Sequence, residues 1–219
     1  MSKSLLGDVE AAIEALDAGR PILVHDGTDR EHEVDLLYPA NSVDHGAVGR
    51  LRNDAGGVLF VALSNEVAET FDLPFLHDAI EHPCTVYNDV GYDTRPSFSL
   101  SVNHRDTYTG VTDIDRSRTI RAVAEAARDP VGTDFAAEFR SPGHVHLLRG
   151  APGLLATRHG HTELALALAE QTDAVRAVAG SEMLDDQSGG ALSPAAARAY
   201  ADRYDLIYLD GQDILDTLG

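Results

Sequence analysis

The chain has 219 residues, enough for one sizeable core and short for two, and its 43% hydrophobic and 24% charged content is that of an ordinary globular protein, so a single domain over residues 1–219 is expected. Its charge is unusual: 36 acidic against 17 basic residues give a net charge of -19, which repels phosphate backbones and anionic lipid and argues against nucleic-acid and membrane partners. Cys84 is the only cysteine, so an internal disulfide and a multi-cysteine zinc site are both excluded, and without an apolar run of signal-peptide or membrane-spanning length the expected location is the cytoplasm.

In chain order, Leu6, Val9, Ala12, Ile13 and Leu16 recur at helical spacing, and Gly19 supplies a stop. Residues 21–25 read as a short buried strand and residues 34–38 as a second one, ended by Pro39. Between them runs Asp26-Gly27-Thr28-Asp29-Arg30-Glu31-His32-Glu33, a loop or strand edge dense in ionisable groups. Residues 57–63 form a third strand, after which Ser64 is placed to cap a helix carrying Glu66 and Glu69 in its early turns. Residues 71–95 have no clear period and read as loop. Phe98, Leu100 and Val102 alternate with Ser99, Ser101 and Asn103 as in a half-buried strand, and Ile120, Val123, Ala124 and Ala127 mark a helix that Pro130 ends. Residues 145–148 are again a strand, 164–169 a helix, 175–183 a strand and 185–190 a polar turn. Pro194 suits the first turn of another helix, and 206–209 form a last buried strand. Strands and helices alternate irregularly, with two strands close together around the acidic loop, which predicts an α+β fold with a mixed sheet covered by helices.

Glu31, Glu33 and Asp35 would share one face of an extended segment, because strand side chains alternate with period two. Three carboxylates on one face repel one another unless a cation or a proton intervenes; the bland alternative is a solvated acidic edge. Against that alternative, Val34-Asp35-Leu36-Leu37 carries the carboxylates straight into a buried strand. Arg158-His159-Gly160-His161-Thr162-Glu163 stands before an apolar helix, where a glycine turn, a helix N-terminus and a guanidinium together make an anion site with His161 at its mouth. The alternative there is a charged helix entry capped by Thr162. His144 follows Arg140-Ser141-Pro142-Gly143 and on its own reads as a turn residue, while Thr109-Gly110-Val111-Thr112-Asp113-Ile114-Asp115-Arg116 reads as a capped helix start. Glu182, on a predicted strand before the polar turn, carries no signal beyond being an acid in apolar company.

The run Asp29-Arg30-Glu31-His32-Glu33-Val34-Asp35 resembles the Asp-Arg-Glu-x-Glu-x-Asp signature of the 3,4-dihydroxy-2-butanone 4-phosphate synthases, a family of the riboflavin pathway. The likeness continues through Thr109-Gly110-Val111 with Asp115-Arg116, through Arg140-Ser141-Pro142-Gly143-His144-Val145 and Arg158-His159-Gly160-His161-Thr162-Glu163, and ends at Glu182, so that it covers nearly the whole chain. It implies a three-layer α/β/α fold with a mixed sheet, a homodimer, and a Mg2+-dependent reaction that Mn2+ should also serve. In that reaction D-ribulose 5-phosphate becomes L-3,4-dihydroxy-2-butanone 4-phosphate and formate through a metal-stabilised enediolate. By the same resemblance Glu31 and His161 are the metal ligands. Arg30, Glu31, Asp35, Thr109, Arg158, His159, Gly160, His161, Thr162 and Glu182 are the substrate contacts, with Arg158 and the backbone after it on the phosphate. Asp26, Glu33, His144 and Glu182 are the candidates for proton transfer, His144 acting in the site of the neighbouring subunit.

Two positions depart from the family pattern. Phe60 stands where many relatives carry a cysteine, so a thiol at that place cannot be essential to the chemistry. His159 replaces the first glycine of the usual Arg-Gly-Gly-His-Thr, which would strain the backbone if that residue needs positive φ. The acidic composition, with Lys3 the only lysine, is similar to that of proteins from salt-loving organisms. The competing functional readings are a metal-dependent sugar-phosphate isomerase or aldolase that stops at the enediolate, and a catalytically silent phosphate binder on the same scaffold.

Overall fold

Neighbouring strand residues divide between two hydrophobic cores. In the computed structural model, which describes residues 5–28, 30–85, 93 and 95–219, Ile22 and Val24 of β1 (Ile22–His25) pack into one core and Leu23 into the other. Leu36 and Leu37 of β2 (Val34–Pro39), and Val61 and Ala62 of β3 (Phe60–Leu63), divide in the same way. This is the period-two signature of a sheet buried on both faces. Among the described residues β4 (Phe98–His104), β5 (Phe139–Arg149), β6 (Ala177–Glu182) and β7 (Ile207–Asp210) complete a seven-stranded sheet in the order β4-β5-β3-β6-β2-β1-β7. The pairs β3/β5 and β1/β7 are parallel and the others antiparallel, so the sheet is mixed.

Helices cover both faces. On one, α1 (Leu5–Asp17), α7 (His161–Glu170) and α9 (Gly211–Leu218) contribute Val9, Leu16, Leu164, Leu168 and Ile214 to the core. On the other, α2 (His45–Arg50), α5 (Asp113–Arg128) and α8 (Pro194–Tyr204) contribute Val48, Ile120, Val123 and Ala197. Among the described residues three further short α-helices are α3 (Asn65–Thr70), α4 (Leu76–Ala79) and α6 (Phe135–Glu138). The architecture is the expected α+β, three-layer α/β/α arrangement.

The cap expected at Ser64, the capped helix start expected over 109–116 and the helix start expected at Pro194 are present. Ser64 accepts from Val67 N, Thr112 from Asp115 N, and Ser193 from Ala196 N with Pro194 in the first turn of α8. Other expectations are corrected. The segment read as loop over 71–95 contains α4 and a short 3-10 turn at Pro83–Thr85, and its residues 86–92 and 94 lie outside the described set. The strand expected over 145–148 is β5, which starts at Phe139 and includes Pro142 and Gly143. That Pro-Gly pair sits in a register break: Asn103 pairs with Arg140 but Val102 with Val145, so residues 141–144 bulge out of the ladder. Gly143 is needed there because a Cβ would lie 1.9 Å from the Val102 carbonyl carbon.

Candidate functional site

The acidic loop after β1 is wound around one carboxylate. Asp26, whose side chain is fully buried, accepts hydrogen bonds from the backbone N–H groups of Glu31 (3.0 Å) and Glu33 (3.1 Å). His32, between them, has φ +58°, and regular pairing in β2 begins only at Val34. Glu31, Glu33 and Asp35 therefore do not lie on one extended face as the alternation argument expected; a left-handed turn intervenes. The three still converge, because the turn swings Glu31 over the start of α7, where its Oε2 lies 3.4 Å from His161 Nδ1. The other ring nitrogen of His161 is 3.7 Å from Asp26 Oδ1 and 3.9 Å from Asp35 Oδ1. Among the described residues, Asp26, Glu31 and His161 each offer one ligand atom within 4.8 Å of the others. Two carboxylates with one imidazole suit a divalent cation that favours oxygen donors.

Asp35 and Glu182 face each other across β2 and β6 as a directly opposed antiparallel pair. Both oxygens of Asp35 are buried without a hydrogen-bond partner. Burial pushes its carboxyl well above the usual carboxylate range, the charges of Glu182, Glu33 and Asp26 add to this, and His161 opposes it. Burial also raises Glu33, followed by the charge of Glu31. Glu31 goes the other way, lowered chiefly by its hydrogen bond to His161 against the cost of burial. Burial alone would lower His161, but Asp35, Glu31 and Asp26 outweigh it and hold the imidazole above its ordinary value. Glu182 is fixed by the Val58 N–H, which donates to its Oε2 at 2.7 Å.

Arg158 is clamped between two acids. Its Nε donates to Asp93 Oδ2 at 3.0 Å, and its terminal nitrogens bond Asp93 and Glu163. Glu163 is fully buried and also accepts from the Ala151 N–H at 2.9 Å, while Arg30 approaches the same Asp93 oxygen at 3.3 Å. Burial would raise the Asp93 carboxyl, but the Arg158 guanidinium outweighs it and holds it below the usual range. Gly160 occupies the N-cap position of α7 with no side-chain cap, and α7 begins at His161 with Thr162 buried in its first turn, so Thr162 is not the cap. The non-glycine residues of positive φ among those described are His32, Asp72, Leu154 and Asp205; His159 is not one of them and replaces glycine without backbone strain. Its ring Nε2 donates to Leu155 O at 2.9 Å.

A cavity of about 480 Å³ gathers Arg30, Glu31, Glu33, Asp35, Arg158, His161, Thr162 and Glu182, together with Phe60 and Asp93. Asp93 was not singled out from the sequence, and Glu163 was named there only as the end of the 158–163 run, without a role. Asp93 sits in a segment without periodicity, and only the need to balance Arg30 and Arg158 could have pointed to it. Asp26, Arg30 and His159 line a neighbouring cavity of about 540 Å³. Gly160, between Arg158 and His161, lines neither, and two further expected site residues lie away from both. Thr109 is exposed, its N–H and hydroxyl held by Asp115 at 3.3 Å each. His144 is exposed on the β5 bulge, where its N–H donates to Asn103 Oδ1 at 2.9 Å, and it lines a smaller pocket with Arg52, Arg116 and His146.

Residues 10–217 match the family model for 3,4-dihydroxy-2-butanone 4-phosphate synthase. A synthase of that description from Archaeoglobus fulgidus is 42% identical over 221 residues, covering 95% of this chain and 93% of its own. One from Methanosarcina mazei is 40% identical over 223 residues, 96% of this chain and 90% of its own. Among solved structures, the Candida albicans synthase superposes with a TM-score of 0.79 at 25% identity over 96% of this chain and 97% of that one. A synthase solved with two magnesium ions superposes equally, TM-score 0.79, at 26% identity over 94% of each chain.

Proposed function

The chain belongs to the 3,4-dihydroxy-2-butanone 4-phosphate synthase family, and from that premise we propose that it converts D-ribulose 5-phosphate into L-3,4-dihydroxy-2-butanone 4-phosphate and formate in riboflavin biosynthesis, as one catalytic domain in the cytoplasm. The observation that carries the reading is the buried Asp35 carboxyl, which has no hydrogen-bond partner and lines the same cavity as Glu31, His161 and Arg158. A polar group this deeply buried is stable only if something pairs with it, and a sugar hydroxyl meets that need.

Glu31 and His161 would hold Mg2+ or Mn2+, with Asp26 in reach as a further donor. Such an ion supplies electrostatic stabilisation to the negative charge that develops at the sugar carbonyl. The relative solved with two magnesium ions supports a divalent cation. Arg158 and the uncapped N-terminus of α7 bind the phosphate, the guanidinium adding its charge to the free helix-terminal N–H groups. Glu33, raised by burial, takes the C3 proton; Glu182, held at one oxygen by Val58, serves a later transfer. Several carbons must gain or lose protons in one site, and acids in differently polarised surroundings can divide that work.

Thr109 and His144 act in the site of a second copy, in a two-fold dimer. Tyr108, Val111 and Ile114, exposed at 94%, 50% and 70%, flank Thr109 with apolar surface that the second copy would cover. The test of the reaction is incubation with ribulose 5-phosphate and Mg2+. Formate and a four-carbon phosphate should appear in equal amounts; an isomerised pentose phosphate without formate would instead favour an isomerase.

A further inference from the structure

Three side chains outside the cavity form a hydrogen-bonded chain that the proposed reaction does not use. His25 ends β1 and is 5% exposed; in the parallel register it lies opposite Asp210 at the end of β7, and its Nδ1 donates to Asp210 Oδ1 at 3.0 Å. A carboxylate only accepts, so Nδ1 carries the proton. His25 Nε2 and His32 Nδ1 share a hydrogen bond at 2.9 Å, with the two rings edge to face. Asp210 is held in turn by Arg198 and by the Tyr208 hydroxyl at 3.3 Å.

His32 is the residue with φ +58° in the acidic loop. A side chain in that left-handed region carries a cost that glycine does not, so the bond from His25 offsets strain at one place in the backbone. The residues on either side donate their N–H groups to Asp26, and Glu31 reaches His161 only because the chain reverses at position 32.

We propose that His25, anchored by Asp210, is a positioning residue that holds His32 in the left-handed conformation and thereby sets the Glu31 carboxylate beside His161. His25 and Asp210 line the neighbouring cavity of Asp26, Arg30 and His159 and, like His32, do not line the one of Glu31 and His161, so their effect on those two side chains passes through the loop. The proposal rests on Glu31 and His161 being metal ligands.

The test is Mn2+ binding to the full chain, read by electron paramagnetic resonance without substrate. His25→Leu should weaken Mn2+ affinity on the order of fivefold through loss of the hydrogen bond. Glycine holds positive φ unaided, so in the His32→Gly background His25→Leu should change the affinity by less than about twofold. His32→Ala, made at an exposed side chain, removes the same bond while keeping the strain, and should repeat the loss even if His25→Leu does not fold. Wild-type affinity in His32→Ala, wild-type affinity in a folded His25→Leu, or failure of glycine to abolish the His25 effect would each overturn the proposal. Glu31→Gln separates the premise: if it binds Mn2+ as the wild type does, the metal assignment falls and this inference with it.

Discussion

The Arg158 guanidinium lies so close over Gly160 that a Cβ added at position 160 would meet its Nη1 at 2.2 Å. Gly160 has φ -82°, so glycine is required there for space and not for conformation. Gly160→Ala should therefore displace Arg158 from its bonds with Asp93 and Glu163, at a cost in stability because Glu163 stays buried. Loss of a charge-assisted contact to phosphate predicts a KM for ribulose 5-phosphate raised about tenfold. The kcat should change less. Steady-state kinetics check this, and an unchanged KM would remove Arg158 from phosphate binding.

Metal uptake should release a proton. Asp35, Glu31 and Asp26 together outweigh burial and raise His161 above the ordinary imidazole range, so the ring keeps its proton as pH rises past that range. A cation must displace that proton to reach the ring nitrogen, hence affinity should fall as pH falls and each binding event should liberate close to one proton. Calorimetric Mn2+ titrations in two buffers of different protonation enthalpy will measure the release, and identical heats in both would refute it. His161→Ala should abolish the release, and excess chelator should abolish wild-type turnover.

Much of this was legible in the sequence for physical reasons that apply locally. The short apolar strands near residues 22–25, 34–38 and 60–63, the cap at Ser64 and the helix start at Pro194 depend on neighbours within a few residues. The convergence of Glu31, Asp35 and His161 was legible through the family motif, but its route was not. A period of two assumes an extended chain, and the left-handed turn at His32 is held by His25, seven residues away. Four helices, α2, α4, α6 and α9, escaped, two of them for reasons that differ. In α2, Gly46 and Gly49 are poor helix formers, and the buried Ala47 and Val48 stabilise the helix through packing that a local reading does not weigh. In α9, the helix starts directly after β7 at Asp210, with no loop residues to announce it. Asp93 was invisible because its meaning lies in Arg158, 65 residues later.

Salt should stabilise the protein. With a net charge of -19 and one lysine, the folded surface repels itself, and molar KCl screens that repulsion over a few ångströms. The midpoint of thermal unfolding and the activity should both rise between low and molar KCl. A midpoint that stays flat or falls across that range would reject the halophilic reading.

The shared site makes the sharpest prediction. His144 and Thr109 do not line the cavity of Glu31 and His161, so under the dimer reading each site takes its metal ligands from one copy and His144 from the other. Glu31→Ala and His144→Ala should each be inactive alone. When the two are mixed and allowed to exchange subunits, a mixed dimer gathers both lesions in one site and leaves the other whole. Random pairing makes about half the dimers mixed, so activity should return to about a quarter of the wild-type value. If His144 instead served its own chain, each site of a mixed dimer would carry one lesion and mixing would restore nothing. Activity regained on mixing, measured as formate released per subunit, decides between the two arrangements.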